Sequence, residues 1–162
     1  MKWILFLFIF LAFSSFAEEL KIKANKFSAD QKKGLSIFSG DVRIVKGSDE
    51  LNASEVSIYT DKNNKPTKFV ARGDVSFLVT TKEKVQYGGV AQKVIYAPKR
   101  KEYQFFGNVH LQQLNDKKEI LGDEVVLKLN SGKAYAKGVK TEPVMMIFDI
   151  PDEQKQEKEE KK

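Results

Sequence analysis

Apolar and polar residues alternate along most of this chain, and Gly followed by Asp or Asn interrupts the alternation at a regular interval. Ser39-Gly40-Asp41-Val42, Arg72-Gly73-Asp74-Val75 and Phe106-Gly107-Asn108-Val109 are three copies of one pattern, and Lys137-Gly138-Val139 is a degenerate fourth. The glycines lie 33, 34 and 31 residues apart. Two and four residues to either side stand Phe38, Val42 and Ile44, then Phe69, Val75 and Phe77, then Tyr103, Phe105, Val109 and Leu111, with the small Ser36 and Ala71 filling the remaining places. Between them come Arg43, Arg72, Ser76, Gln104 and His110. A period of two marks strands with one apolar face turned inward, and it places His110 outward.

A second motif alternates with the first. It reads Leu51-x-Ala53-x-x-Val56-x-Ile58, Gly89-x-Ala91-x-x-Val94-x-Tyr96 and Ile120-x-Gly122-x-x-Val125-x-Leu127, with a shorter copy at Ile22-x-Ala24-x-x-Phe27. From Ala53 to Val56 the apolar residues step by three rather than two, which predicts a bulge or corner where the chain bends and keeps its apolar side chains inside. The Gly-Asp and Gly-Asn steps supply the permissive backbone of a tight bend between short strands. The connections are polar and turn-rich, as at Asp61-Lys62-Asn63-Asn64-Lys65-Pro66, and no helical period intervenes. Units of this kind stack into a quasi-one-dimensional all-β structure with a continuous apolar column. Large and small residues alternate in that column, as in Phe38, Ala71, Phe105 and Ala136. Such alternation fits either an interdigitated core or a space for an apolar ligand.

The chain ends differ from this pattern. After Met1 and Lys2, the run Trp3 to Phe13 is almost wholly apolar but shorter than the ~20 residues of a membrane-spanning helix. Ser15-x-Ala17 follows with the small residues that a signal peptidase accepts, so residues 1–17 are predicted to be a cleavable signal peptide and the product to be exported. A retained inner-membrane anchor is the alternative. Residues 151–162 are nearly pure Asp, Glu, Lys and Gln and are predicted to be a disordered charged tail, which leaves a domain over 18–150.

The absence of Cys excludes disulfides, thiolate metal sites, a Cys nucleophile and a lipidated cysteine anchor. His110 is the only His, which argues against His-based metal or triad chemistry, so no catalytic residue, metal site or cofactor is expected. The Gly-Asp turns offer one carboxylate each, too few for the calcium sites of a β-roll. Without Lys2, 28 basic residues become 27 against 22 acidic ones. That modest excess favours a phosphorylated glycolipid or an anionic membrane surface as partner for an exported chain, and disfavours nucleic acid. Part of it also serves as lysine that solvates a β surface and guards its edges.

The repeated Gly-Asp/Asn-Val turns, the Ala-x-x-Val-x-Ile partner motif and the segment Phe105 to Gln113 resemble the OstA-like periplasmic lipopolysaccharide-transport family, the LptA family, over about residues 20 to 150. The resemblance implies a β-jellyroll of stacked short antiparallel strands, open at both ends, whose interior holds the acyl chains of lipid A. It implies a periplasmic bridge that carries lipopolysaccharide from inner to outer membrane, without enzymatic activity. The implied partners are lipopolysaccharide, inner- and outer-membrane components with related β domains, and further copies joined head to tail. Such shielding answers a physical need: at ~0.8 kcal/mol per methylene, one chain of about fourteen carbons costs on the order of 11 kcal/mol to expose to water. The lipid-facing set expected on this basis is Phe38, Val42, Ile44, Val56, Ile58, Phe69, Val75, Phe77, Val94, Tyr96, Tyr103, Phe105, Val109, Leu111, Val125 and Leu127. The competing readings are an inner-membrane-anchored relative and a polysaccharide-binding or scaffold β-solenoid with a solid interior.

Overall fold

The computed structural model describes residues 18–150, so the predicted signal segment 1–17 and charged tail 151–162 lie outside the described residues. Every regular element among the described residues is a strand: β1 (Leu20–Lys23), β2 (Lys26–Asp30), β3 (Leu35–Lys46), β4 (Asp49–Thr60), β5 (Pro66–Thr80), β6 (Gln86–Ala97), β7 (Glu102–Gln113), β8 (Lys118–Lys128), β9 (Lys133–Lys137) and β10 (Met145–Ile147). Strands β3 to β8 form an antiparallel meander in which each pairs with its sequence neighbour. β1 and β2 both pair with β3, while β9 and β10 both pair with β8.

The six central strands are longer than the motif spacing suggests, because the Gly-Asp and Gly-Asn steps bend a strand without ending it. Ser39 pairs with Glu55 and Val42 with Ala53, so Gly40 and Asp41 together face the single residue Ser54. Gly73-Asp74 faces Gln92 in the same way, and Gly107-Asn108 faces Asp123. Each is a β-bulge whose two residues both take positive φ, 80° and 46° at Gly73 and Asp74. Gly is required at the first position for a second reason: a Cβ on Gly73 would lie 2.5 Å from Ser54 Oγ. The three-residue steps of the even-numbered strands are the partner side of these bulges.

The bulges align from strand to strand into a corner that divides the sheet into two arms. The first arm holds the early halves of β3, β5 and β7 with the late halves of β4, β6 and β8. The second arm holds the complementary halves. At the sheet edges the chain breaks at the corner instead of bulging, which is why β1 and β2 are separate strands, as are β9 and β10. The arms fold face to face, and the ring of Phe77 from the second arm packs 4.3 Å, centroid to centroid, from Phe105 of the first. Two rows of paired residues line the inside of the first arm. One runs Phe38, Val56, Ala71, Val94, Phe105, Val125 and Ala136, the other Ser36, Ile58, Phe69, Tyr96, Tyr103, Leu127 and Ala134. Val56, Val75, Phe105, Val125 and Leu127 are completely buried. Burial of each such side chain contributes about 1.5–3 kcal/mol, so the packed middle of the fold is what holds the arms together.

Candidate functional site: a cleft between the arms

Away from the corner the arms diverge and leave a cleft of about 570 Å³. Phe69, Tyr96, Tyr103 and Leu129 form its wall on the first arm, and Leu20, Ile44, Leu51 and Val79 form the wall on the second. The aromatic wall follows from register: Phe69 pairs with Tyr96 and Tyr96 with Tyr103, which brings three rings side by side on one face. Tyr96 and Tyr103 stack at 4.4 Å, and Phe69 lies 6.0 Å from Tyr96. Such offset arrangements add stabilisation beyond area burial and give the wall a fixed shape.

The rim is polar. Asp49, at the start of β4, accepts a 2.8 Å hydrogen bond from the backbone N–H of Thr80 at the end of β5. Burial raises its carboxyl above the ordinary aspartate range near 3.8, against the opposing effects of the Thr80 hydrogen bonds and the Lys46 charge. Burial also raises the hydroxyls of Tyr96 and Tyr103, with a smaller contribution from the Asp49 charge, so both phenols stay neutral in the cleft. Lys46, Glu50, Lys82 and Lys101 complete the rim. Glu50 is engaged on the outer side by Arg43 at 3.0 Å and by Asn52 at 3.1 Å.

The structure divides the sequence-predicted residues into three sets. Ile44, Phe69, Tyr96 and Tyr103 line the cleft. Val42, Val56, Ile58, Val75, Phe77, Val94, Phe105, Val109, Leu111, Val125 and Leu127 are buried in the packed core. Phe38 is half-buried and packs on the exposed Phe27, ring centroids 4.8 Å apart, toward the β2 edge. Four apolar cleft residues, Leu20, Leu51, Val79 and Leu129, are absent from the lipid-facing set expected from the sequence. Val79 continues the alternation of Val75 and Phe77 and was within its reach, and Leu51 belongs to the second motif. Leu20 and Leu129 lie outside both motifs, at element ends that only the fold brings together. His110 does point outward, and its Nε2 lies 2.7 Å from Glu119 Oε2 on the neighbouring strand.

Both sheet edges expose apolar side chains. Phe27 of β2 is 61% exposed, and Met145, Met146, Ile147 and Phe148, in and after β10, are each about half exposed. Exposed apolar residues on an edge strand leave both side chains and backbone groups accessible to another chain.

Among curated proteins, none matches the sequence. Among solved structures, LptH of Pseudomonas aeruginosa, described as the LptA-homologous periplasmic component of the lipopolysaccharide transport device, superposes with a TM-score of 0.71 at 17% identity, over 82% of this chain and 96% of that one. At that identity the likeness establishes the fold. The sequence pattern of the family described as "LptA/(LptD N-terminal domain) LPS transport protein" matches residues 21–133, and the chain belongs to that lipopolysaccharide-transport family.

Proposed function

We propose that this protein is a periplasmic bridge that shields the acyl chains of lipid A between its two arms and passes lipopolysaccharide from the inner toward the outer membrane. The observation that carries this reading is the cleft: apolar, aromatic-walled, open along one side, and bounded by charged residues. Acyl chains enter between Phe69, Tyr96 and Tyr103 on one wall and Ile44, Leu51 and Val79 on the other, while the sugars stay in solvent beyond the rim. Its volume falls in the ~300–1,000 Å³ range of small-ligand pockets, so it holds part of a many-chained lipid at rest, and the arms part further to admit the remainder. The core residues Phe77, Phe105, Leu111 and their neighbours are then the reserve of apolar surface that this parting uncovers. No bond is made or broken, so the protein acts as a carrier and not as an enzyme. Residues 1–17 direct export and are removed, residues 18–150 form the working domain, and 151–162 form a charged tail.

The partners follow from the edges. β1 and β2 at one end and β9 and β10 at the other present unpaired backbone groups with exposed apolar side chains. Strand addition joins copies head to tail and joins the ends of the chain of copies to related β domains at each membrane.

The test uses a spectroscopic blank, because the only Trp in the sequence is Trp3. In protein lacking residues 1–17, Tyr96→Trp is expected to shift its emission to shorter wavelength as lipopolysaccharide is added, while Gln104→Trp on the outer face stays unchanged. Equal responses from both positions, or from neither, would remove the cleft from the account.

A further inference from the structure

Charge is distributed unevenly around the cleft. The rim carries Glu18, Lys46, Asp49 and Glu50 on or beside β1, β3 and β4, and Lys82 and Lys101 in the turns that follow β5 and precede β7. Lys46 acts on Asp49 and lowers its carboxyl, and Glu18 packs on the adjacent Gly47, so the positive charge of Lys46 is balanced locally. Lys82 and Lys101 differ. Neither forms an ion pair among the described residues, and Glu83, between them in the chain, places its carboxylate near Gly132 and is not part of the cleft wall.

The backbone holds this lysine pair in place. The N–H of Leu129 donates to the carbonyl of Lys101 at 2.9 Å, and the N–H of Lys82 donates to the carbonyl of Leu129 at 3.5 Å. Leu129 therefore ties the two lysine-bearing turns to the same point while its side chain lines the cleft. Lys101 adopts a φ of 49°, a left-handed conformation that Gly or Asn adopts at less cost, and its N–H donates to Pro98.

We infer that Lys82 and Lys101 form a seat for a phosphate monoester at the rim of the cleft. The inference rests on the cleft being the lipid site and adds the headgroup chemistry. The phosphate meets Lys82 and Lys101, and the attached chains run past Tyr103, Tyr96 and Phe69 toward Ile44 and Leu20. Two ammonium groups at an exposed rim make a salt-sensitive contact suited to a lipid that must be released again.

The test compares purified protein with the double variant Lys82→Gln, Lys101→Asn, which removes both charges and at position 101 eases the backbone, so that folding is preserved. Binding is measured for lipopolysaccharide, for the same lipopolysaccharide after chemical dephosphorylation, and for inorganic phosphate alone by phosphorus NMR. The expected result is a loss on the order of tenfold in the variant for the phosphorylated lipid and no loss for the dephosphorylated one. Inorganic phosphate that binds unmodified protein but not the variant, without any difference between the lipids, would assign the seat to free phosphate and overturn the headgroup assignment. Equal weakening for both lipids, or no change for any ligand, overturns the seat itself. If neither lipid binds unmodified protein, the cleft reading has failed and the seat falls with it.

Discussion

At the scale of single residues, the cleft and the core call for opposite responses to truncation. Phe105 is completely buried, so Phe105→Ala is expected to cost about 3–5 kcal/mol of stability in a denaturant titration. Tyr96 is only half-buried, and Tyr96→Ala is expected to cost clearly less stability while abolishing most lipopolysaccharide binding. The two results together separate wall from scaffold. Asp49 offers a pH-dependent test. Its folded carboxyl titrates above the ordinary value near 3.8 because burial disfavours the charge. It therefore favours the folded state least when ionised, and stability falls as pH rises from about that value through the raised one. Asp49→Asn keeps an acceptor for the Thr80 N–H and removes the charge. The variant is expected to match the parent at low pH and to exceed it near neutrality, as read by thermal unfolding at both pH values.

At the scale of elements, the bulge column is the part of the fold most dependent on a few side chains. Gly73→Ala must hold a φ of 80° and place its Cβ against Ser54, so it is expected to destabilise by about 1–2 kcal/mol, with partial recovery when Ser54 is also changed to Gly. The strands, their inward faces and the position of each corner were legible in the sequence because strand periodicity and the parity shift at Ala53 to Val56 are local properties. The length of the strands was not. A Gly-Asp step reads equally as a turn between strands or a bulge within one, and only the pairing of residues on both sides decides. The cleft was legible in part for a related reason. Alternation shows that Phe69, Tyr96 and Phe105 all face inward, but not that the arms touch at Phe105 and separate at Phe69. Where they separate, the turn Thr81 to Val85 connects them through the Lys82–Leu129 backbone hydrogen bond. A Lys82→Cys, Leu129→Cys pair is the only thiol pair in a chain without Cys. Oxidised, it is expected to hold the arms together and bind lipopolysaccharide far more weakly than the same protein after reduction, whereas equal binding in both states would show that the arms need not part there.

At the scale of the whole molecule, one sheet is bent into two arms and left open at both ends and along one side, so the fold is unfinished in a manner suited to handing on an apolar cargo. Its β10 edge exposes Met145, Met146 and Ile147. Met146→Lys places a charge on that edge without disturbing the core, and sedimentation is expected to show loss of concentration-dependent association with unchanged thermal stability. The family and the all-β architecture were both readable from the repeat. The polarity of the ends was not, because edge exposure arises only once the last strands are placed. The central claim is that lipid lies between the arms, and site-specific photocrosslinking tests it most directly. A photoreactive residue at 69, 96 or 103 is predicted to capture lipopolysaccharide on purified protein, while one at 76, 104 or 110 on the outer face captures none. Capture confined to the outer positions, or none at any position of a folded protein, would contradict the account and leave a solid β scaffold in its place.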